Sequence, residues 1–360
     1  MPESSIVVRP ESMDDTYTAS TRLQATGLAP AIAVFERAAA DVPLPAPTQP
    51  MVIADYGAGT GYNSLLPIGA AIEVLRKRTT PEHSVLVAHT DTVDNDFSVL
   101  FRTVEEDPDT YLRKDAATFA SAVGRSFYSQ ILPSNSVHLG WSSWAVQWLS
   151  KVPAPIDGHF HISGCTDDAV RAAFDQQAAR DWHEFIAYRG RELCPGGRLV
   201  VMTLGIGEDG DMGFGPLLAA IMDALTEVAG SGLVTAEEVA GMCVPTVARR
   251  AVDFTAPFAP SGRFERLEIE HLEVFDSEDR FWVRYQVDGN AEDFGARWAA
   301  FARASVFPAL AAGLAGGAAD PRTPQLLDRL EAGTAARLAA APERTPIPLA
   351  HVVLIKRPRT

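Results

Sequence analysis

Residues Asp55-Tyr-Gly57-Ala-Gly59-Thr-Gly61 place three glycines at alternate positions behind a carboxylate. Glycine lets the chain turn sharply and lets a ligand approach the main chain closely. A dinucleotide loop wants G-x-G-x-x-G, with the pyrophosphate at the N-terminus of the following helix. Here the third glycine falls one position early, and Tyr62 occupies the dinucleotide position. A second acid, Asp91, ends the next apolar run, where a carboxylate can accept hydrogen bonds from both hydroxyls of a ribose. A tight turn without a ligand and a nicotinamide site are the competing readings of this loop. Trp144 and Trp148 stand four apart, the spacing of one helical face, and read either as core or as pocket walls. His159, His161 and Cys165 suggest a metal on one strand face. No fourth ligand is evident, and Asp167-Asp168 reads as a helix start. His138 reads as a hydrogen-bonded structural histidine.

These residues need elements to hold them. Met51–Tyr56 is a short apolar run that ends at the glycines, and Leu65–Arg76 has helical spacing with basic residues in its last turn. Ser84–Ala88 and Val137–Gly140 read as further buried strands. Ala169–Leu193 reads as a long helix stopped by Pro195-Gly196-Gly197, with Arg198–Leu204 as another strand and His351–Ile355 as the last. Ala29–Ala40, Ala309–Ala319 and Ala335–Ala341 have helical composition. Repeated strand–helix–strand argues for a mostly parallel sheet covered on both faces. The expected organisation is an N-terminal segment over 1–48, an α/β core over 49–205, a largely helical cap over 206–320, and a C-terminal helix and last strand of the core over 321–360.

Of 360 residues, 47% are apolar and 21% charged, enough for a full core. Lys and Arg number 31 against 46 Asp and Glu, a net charge of -15. Such a chain repels phosphate backbones and anionic lipid, so neither nucleic acid nor membrane is an expected partner. Three scattered cysteines suit neither a disulfide framework nor a CxxC metal site. Met1 to Ala33 shows no secretory pattern, and no apolar run reaches the roughly 18 residues of a membrane span. The expectation is a soluble, cytoplasmic protein.

The form D-x-G-x-G-x-G resembles the loop with which class I methyltransferases hold S-adenosylmethionine, which has no phosphate to cradle. Further segments narrow the resemblance to the SABATH carboxyl methyltransferases of plants. Tyr17-Thr-Ala-Ser20-Thr21-Arg-Leu-Gln24 resembles their Y-x-x-N-S-x-x-Q. Asp91-Thr-Val-Asp-Asn95-Asp96-Phe97 resembles D-L-P-G-N-D-F. Ser126-Phe127-Tyr128 with Leu132-Pro133-Ser-Asn135-Ser136-Val-His138 resembles S-F-Y…L-F-P-x-N-S-L-H. Ser142-Ser143-Trp144-Ala-Val-Gln147-Trp148-Leu149-Ser150-Lys-Val152-Pro153 resembles S-S-Y-S-L-M-W-L-S-x-V-P. The likeness runs on through Pro195-Gly196-Gly197-Arg198 and Asp293-Phe294, and the composition and divergence point to a bacterial member.

The resemblance implies a class I, Rossmann-like α/β fold with a helical cap, and S-adenosylmethionine as cofactor. It implies that Asp55, Gly57, Asn63, Asp91, Thr92, Ser126 and Phe127 line the cofactor site, with Tyr17 and Thr21 closing over it. Gln24 and Trp148 hold the substrate carboxylate, Trp144 packs on the substrate in place of a tyrosine, and Met242 joins the pocket. Met242 and Cys243 replace the phenylalanine and asparagine near a plant magnesium site, and Ala240 replaces an acid, so no metal is expected. The family also allows a homodimer. A carboxylic acid has a pKa near ~4 and is ionised at neutral pH, so methylation needs no general base. Catalysis is then positioning and desolvation, which suits the neutral donors Gln24 and Trp148, while Tyr17 and Phe127 offer ring faces to the sulfonium. The expected product is the methyl ester of a small-molecule acid in an apolar, aromatic pocket. The alternatives are N-methylation of a small heterocycle on the same fold and a catalytically silent binder.

Overall fold

The computed structural model describes residues 28–358. Tyr17, Thr21 and Gln24 therefore lie outside the described residues. The first half of the chain runs α1 (Ala29–Asp41), β1 (Met51–Tyr56), α2 (Tyr62–Arg76), β2 (Val85–Asp91), α3 (Phe97–Glu106), α4 (Tyr111–Lys114), β3 (Thr118–Gly124), β4 (Val137–Ser143), α5 (Asp168–Glu192) and β5 (Leu193–Leu204). The second half runs α6 (Gly215–Gly230), α7 (Ala236–Gly241), α8 (Ala251–Thr255), β6 (Leu267–Ser277), α9 (Arg280–Asp288), α10 (Ala291–Ser305), α11 (Phe307–Ala311), α12 (Thr323–Ala340) and β7 (Ile347–Lys356).

Among the described residues the strands form one sheet in the order β3-β2-β1-β4-β5-β7-β6. β1 to β5 are parallel; β7 enters antiparallel beside β5, and β6 pairs antiparallel with β7. Side chains alternate between two buried faces, as a period of two requires. Ile53, Leu139, Trp141, Val200 and Val353 pack toward α1 and α2, where Phe35 and Ile68 are buried. Ala54, Leu199, Val201, Val352 and Leu354 pack toward α5, against Trp182, Phe185 and Ile186. This two-sided burial explains why these strands read as continuous apolar runs.

Several expectations need correction. β5 begins at Leu193, directly after α5, because Gly196 at φ 81° lets the Pro-Gly-Gly segment bend within the strand. β3 and β6 gave no recognised strand signal. Both are sheet edges: β3 leaves Phe119 exposed, and β6 alternates glutamates along its rim, as edges that must resist pairing do. β6 also puts a sheet strand inside the segment expected to be cap. Conversely α12, expected with the core, packs on α6 and α10 in a separate hydrophobic cluster. A Cβ on Gly295 of α10 would lie 2.3 Å from Ala335 O of α12. Only glycine allows these helices to approach so closely. Among the described residues no helix is long and apolar enough to cross a membrane.

Candidate active site

β1, β2 and β4 run parallel, so their carboxyl ends open on one sheet edge, the usual ligand crevice of such sheets. Gly57, Gly59 and Gly61 all adopt left-handed φ, at 84°, 60° and 83°. A Cβ on Gly57 would lie 2.4 Å from the Ala145 Cβ. The Gly57 and Ala58 amides donate to Thr90 O at 2.9 and 3.0 Å, which folds the loop over the end of β2. Asp91, 5% exposed, accepts from Gly59 N at 2.8 Å and Thr92 N at 2.7 Å. Asn95 donates to Gly59 O at 2.9 Å, so the D-x-x-x-N spacing grips the loop from both sides.

The loop bounds one end of a cavity of about 690 Å³. Gly57, Asn63, Asp91, Thr92, Ser126, Phe127, Trp144 and Trp148 all line it. Asp55 does not. It is buried below the loop, accepting from Ser64 Oγ at 2.6 Å and lying 2.7 Å from His89 Nδ1. His89 Nε2 lies 2.7 Å from the Tyr111 hydroxyl, and burial followed by the Asp55 charge pushes that phenol far above its usual pKa. Asp55 thus ties the start of α2 to β2, a positioning role. Met242 also lies off the cavity, buried in the cap cluster, while its neighbour Cys243 lines the wall. Cys243 begins a run, Cys243 to Thr246, that lines the cavity beside the Trp148 segment.

Trp144 and Trp148 are not on a helix. The chain leaves β4 through Trp144 at φ 55° and then pairs with a second non-helical segment. Leu149 N donates to Pro245 O at 2.8 Å, Val247 N donates to Gln147 O at 2.9 Å, and Trp148 and Thr246 face each other across an isolated antiparallel bridge. Tyr128 OH donates to Trp148 O at 2.6 Å, coupling the segment to Phe127.

Ser126 and Phe127 belong to the loop between β3 and β4. Its support is an ion pair 60 residues away on α5. Arg189 and Glu192 are both fully buried and 2.9 Å apart. Arg189 donates to Phe127 O and Ser129 O, each at 2.9 Å. Glu192 accepts from Ile131 N at 2.6 Å, Leu132 N at 3.0 Å and Tyr56 OH at 2.8 Å. In sequence the two are ordinary i,i+3 helix charges, which most often face solvent.

The far end of the cavity is walled by the cap. Phe214, Leu217, Phe301 and Val306 supply apolar surface, and Gln147, His161, Cys243 and Thr246 supply polar groups. Burial pushes the Cys243 thiol up to about 11, so it stays protonated. The His159–His161–Cys165 reading as a metal face does not assemble. His161 Nδ1 accepts from Ser163 N at 3.2 Å, His161 Nε2 lies 3.1 Å from Thr246 Oγ1, and Cys165 Sγ donates to Asp167 O. Among the described residues no three ligand-type side chains cluster for a metal. Glu238, near the plant metal stretch, hydrogen-bonds Arg322, which brings its carboxyl down to about 2. His138 Nδ1 accepts from Val52 N at 3.1 Å, between strands β4 and β1.

A family model described as "SAM dependent carboxyl methyltransferase" matches residues 10–354. The chain belongs to this family. Loganic acid O-methyltransferase of Catharanthus roseus is 32% identical over 218 residues, 55% of this chain and 56% of that protein. The match thus spans little more than half of that relative's length. Salicylate carboxymethyltransferase of Clarkia breweri is 28% identical over 255 residues, 68% of each chain. A solved structure titled loganic acid methyltransferase with SAH aligns with a TM-score of 0.75 at 23% identity, covering 97% of this chain and 98% of that one. The fold is accordingly that of the class I enzymes.

Proposed function

We propose that the protein methylates the carboxylate of a small-molecule acid to give its methyl ester. The observation that carries this reading is that one cavity joins the Gly57–Asp91 loop to the Trp144–Trp148 segment. The loop suits an adenosine-type cofactor. Left-handed glycines bring backbone to the cavity wall, Asp91 is fixed there by two amides, and the buried Asn63 Oδ1 has no partner among the described residues. A buried acceptor left unpaired costs stability, so a donor on a ligand is the natural partner. Asp91, Asn63, Ser126 and Phe127 hold the cofactor in this reading, with Tyr17 and Thr21 from the N-terminal segment. When bound, S-adenosylmethionine supplies the electrophilic methyl group.

The chain's own contribution is placement. Trp148 and Gln24 orient the carboxylate with neutral N–H donors, which leaves its charge available for attack. Trp144 packs on the acceptor, and the cap excludes water. No residue need remove a proton, because the nucleophile arrives ionised. Lys151 lies at the rim, exposed and screened by solvent. No metal is needed in this reading, since Glu238 is committed to Arg322. A bacterial origin and a cytoplasmic location belong to the same reading and rest on composition. The two curated relatives described above are plant proteins.

Trp148→Phe keeps the ring packing and deletes the indole N–H. Its kcat/KM for ester formation is expected to fall about 10- to 100-fold, the scale of roughly 1.5–3 kcal/mol for a hydrogen bond to a charged group. Gln24→Ala should fall by a similar factor, with S-adenosylhomocysteine affinity nearly unchanged in both. Near-normal ester formation in both variants would reject the carboxylate grip and favour a nitrogen acceptor. Asp91→Asn replaces one carboxylate oxygen with an amide nitrogen facing an N–H donor. Calorimetry should show S-adenosylhomocysteine binding weakened by roughly 1.5–3 kcal/mol. Undiminished affinity in a folded protein would remove Asp91 from the cofactor site.

A further inference from the structure

Two buried side chains at the far end of the cavity are locked as hydrogen-bond donors that nothing in the described protein receives. Thr246, 8% exposed, lines the cavity beside Trp148, because directly opposed residues of an antiparallel bridge present their side chains on one face. Its hydroxyl is oriented by His161. Since His161 Nδ1 accepts from Ser163 N, the ring proton sits on Nε2 and is given to Thr246 Oγ1. Burial holds the His161 pKa down to about 4, so the neutral tautomer persists at ordinary pH. The Thr246 oxygen is thereby an acceptor toward His161, and its own hydrogen points elsewhere.

Gln147, 5% exposed, follows the same logic. Its Oε1 accepts from the fully buried Thr203 hydroxyl at 3.0 Å, which turns the amide NH₂ away from β5. No described acceptor takes either the Thr246 hydroxyl hydrogen or the Gln147 amide hydrogens. In the family pattern S-S-Y-S-L-M-W-L-S the position of Gln147 is a methionine, so this chain has exchanged an apolar wall for a donor. Phe214, Leu217 and Phe301 supply apolar surface at the same end.

We propose that Thr246 and Gln147 form a second polar subsite, so that the acceptor is an oxygenated acid carrying a hydroxyl, ether or carbonyl oxygen apart from its carboxylate. The inference rests on the carboxyl-methylation reading, in which Gln24 and Trp148 already hold the carboxylate. A plain hydrocarbon acid would displace water from these donors and return no acceptor. A site built to hydrogen-bond a substrate oxygen discriminates strongly against the analogue that lacks it.

The test uses matched acids with the full chain and methyl-labelled S-adenosylmethionine. Benzoate is set against meta- and para-hydroxybenzoate, and cyclohexanecarboxylate against its para-hydroxy and para-keto analogues. In at least one pair the oxygenated acid should lead by about 10-fold or more in kcat/KM, the effect of one buried hydrogen bond. Calorimetry on the S-adenosylhomocysteine complex should give the same order of affinities. Thr246→Val and Gln147→Met should each bring that ratio toward one, while Thr246→Ser, which keeps the hydroxyl, preserves it. Melting curves identify any variant that fails to fold, and the serine and methionine variants then carry the test. Parity or a lead for the plain acids in the unmodified protein would overturn the proposal. So would a ratio that survives both substitutions, or a Thr246→Val loss equal for both members, which would assign Thr246 to the carboxylate instead. No ester from any acid, with S-adenosylhomocysteine still bound, would instead overturn the carboxyl-methylation reading on which the subsite depends.

Discussion

Arg189→Met is expected to lower unfolding free energy by about 3–5 kcal/mol, the usual consequence of stranding one partner of a buried ion pair. Glu192 would be left in a fully buried site without the cation that pairs with it. The carbonyls of Phe127 and Ser129 would each lose a donor, adding the cost of buried unpaired acceptors. The guanidinium also lies 4.3 Å over the Tyr56 ring at the end of β1, so packing is lost with the charge. The functional effect follows from geometry. Phe127 lies on the cavity wall, and its loop is anchored to α5 by this network. S-adenosylhomocysteine affinity should therefore drop with stability. Urea unfolding beside calorimetry checks both. Replacing the pair together, as Arg189→Met with Glu192→Leu, should recover part of the stability and little of the affinity. The Ile131 and Leu132 amides would still lack their acceptor. A loss below about 1 kcal/mol in the single variant would mean that the pair holds nothing in place.

Gly57→Ala is expected to disable the loop. Its φ of 84° is left-handed, which costs a residue with a Cβ roughly 1–2 kcal/mol. The new methyl would meet the Ala145 Cβ at 2.4 Å, and overpacking of this kind adds about 1–3 kcal/mol. Ala145 sits between Trp144 and Trp148, so relieving the clash moves either the loop or the segment facing it. S-adenosylhomocysteine affinity should fall by about 100-fold, equivalent to roughly 2.7 kcal/mol. Gly59→Ala is the contrast. Its φ is also left-handed, but nothing lies within 4 Å of the added Cβ. Its stability loss should be confined to the conformational cost of about 1–2 kcal/mol. Equal melting temperatures for the two alanine variants would show that the Ala145 contact is not a constraint.

These two positions divide what could be read before the fold was known. The glycine loop is written in the chain because left-handed turns demand glycine locally, and its acid stands at the end of an apolar run. The apolar runs of β1, β2, β4, β5 and β7 were legible because strands buried on both faces need no polar alternation. The edge strands β3 and β6 were not, since exposure on one side weakens the apolar signal. Met242 and Cys243 were told apart only by the direction each side chain takes from the backbone. The four-residue spacing of Trp144 and Trp148 misled for a related reason. It matches a helical face, but pairing with the segment around Thr246, not local propensity, decides the conformation there.

The family was legible in the sequence alone, because it rests on short motifs: the glycines that the turn demands, and the acids and N–H donors to which the proposed reading gives the cofactor and the carboxylate. What only the tertiary structure decided is which distant groups back those motifs. Arg189 reaches Phe127 across 62 positions, His161 meets Thr246 across 85, and Thr203 meets Gln147 across 56. Each of these bonds depends on burial and on the side-chain direction that the folded sheet and cap impose. A histidine, a threonine or an i,i+3 ion pair carries no local signal that distinguishes a solvated surface from the wall of a site.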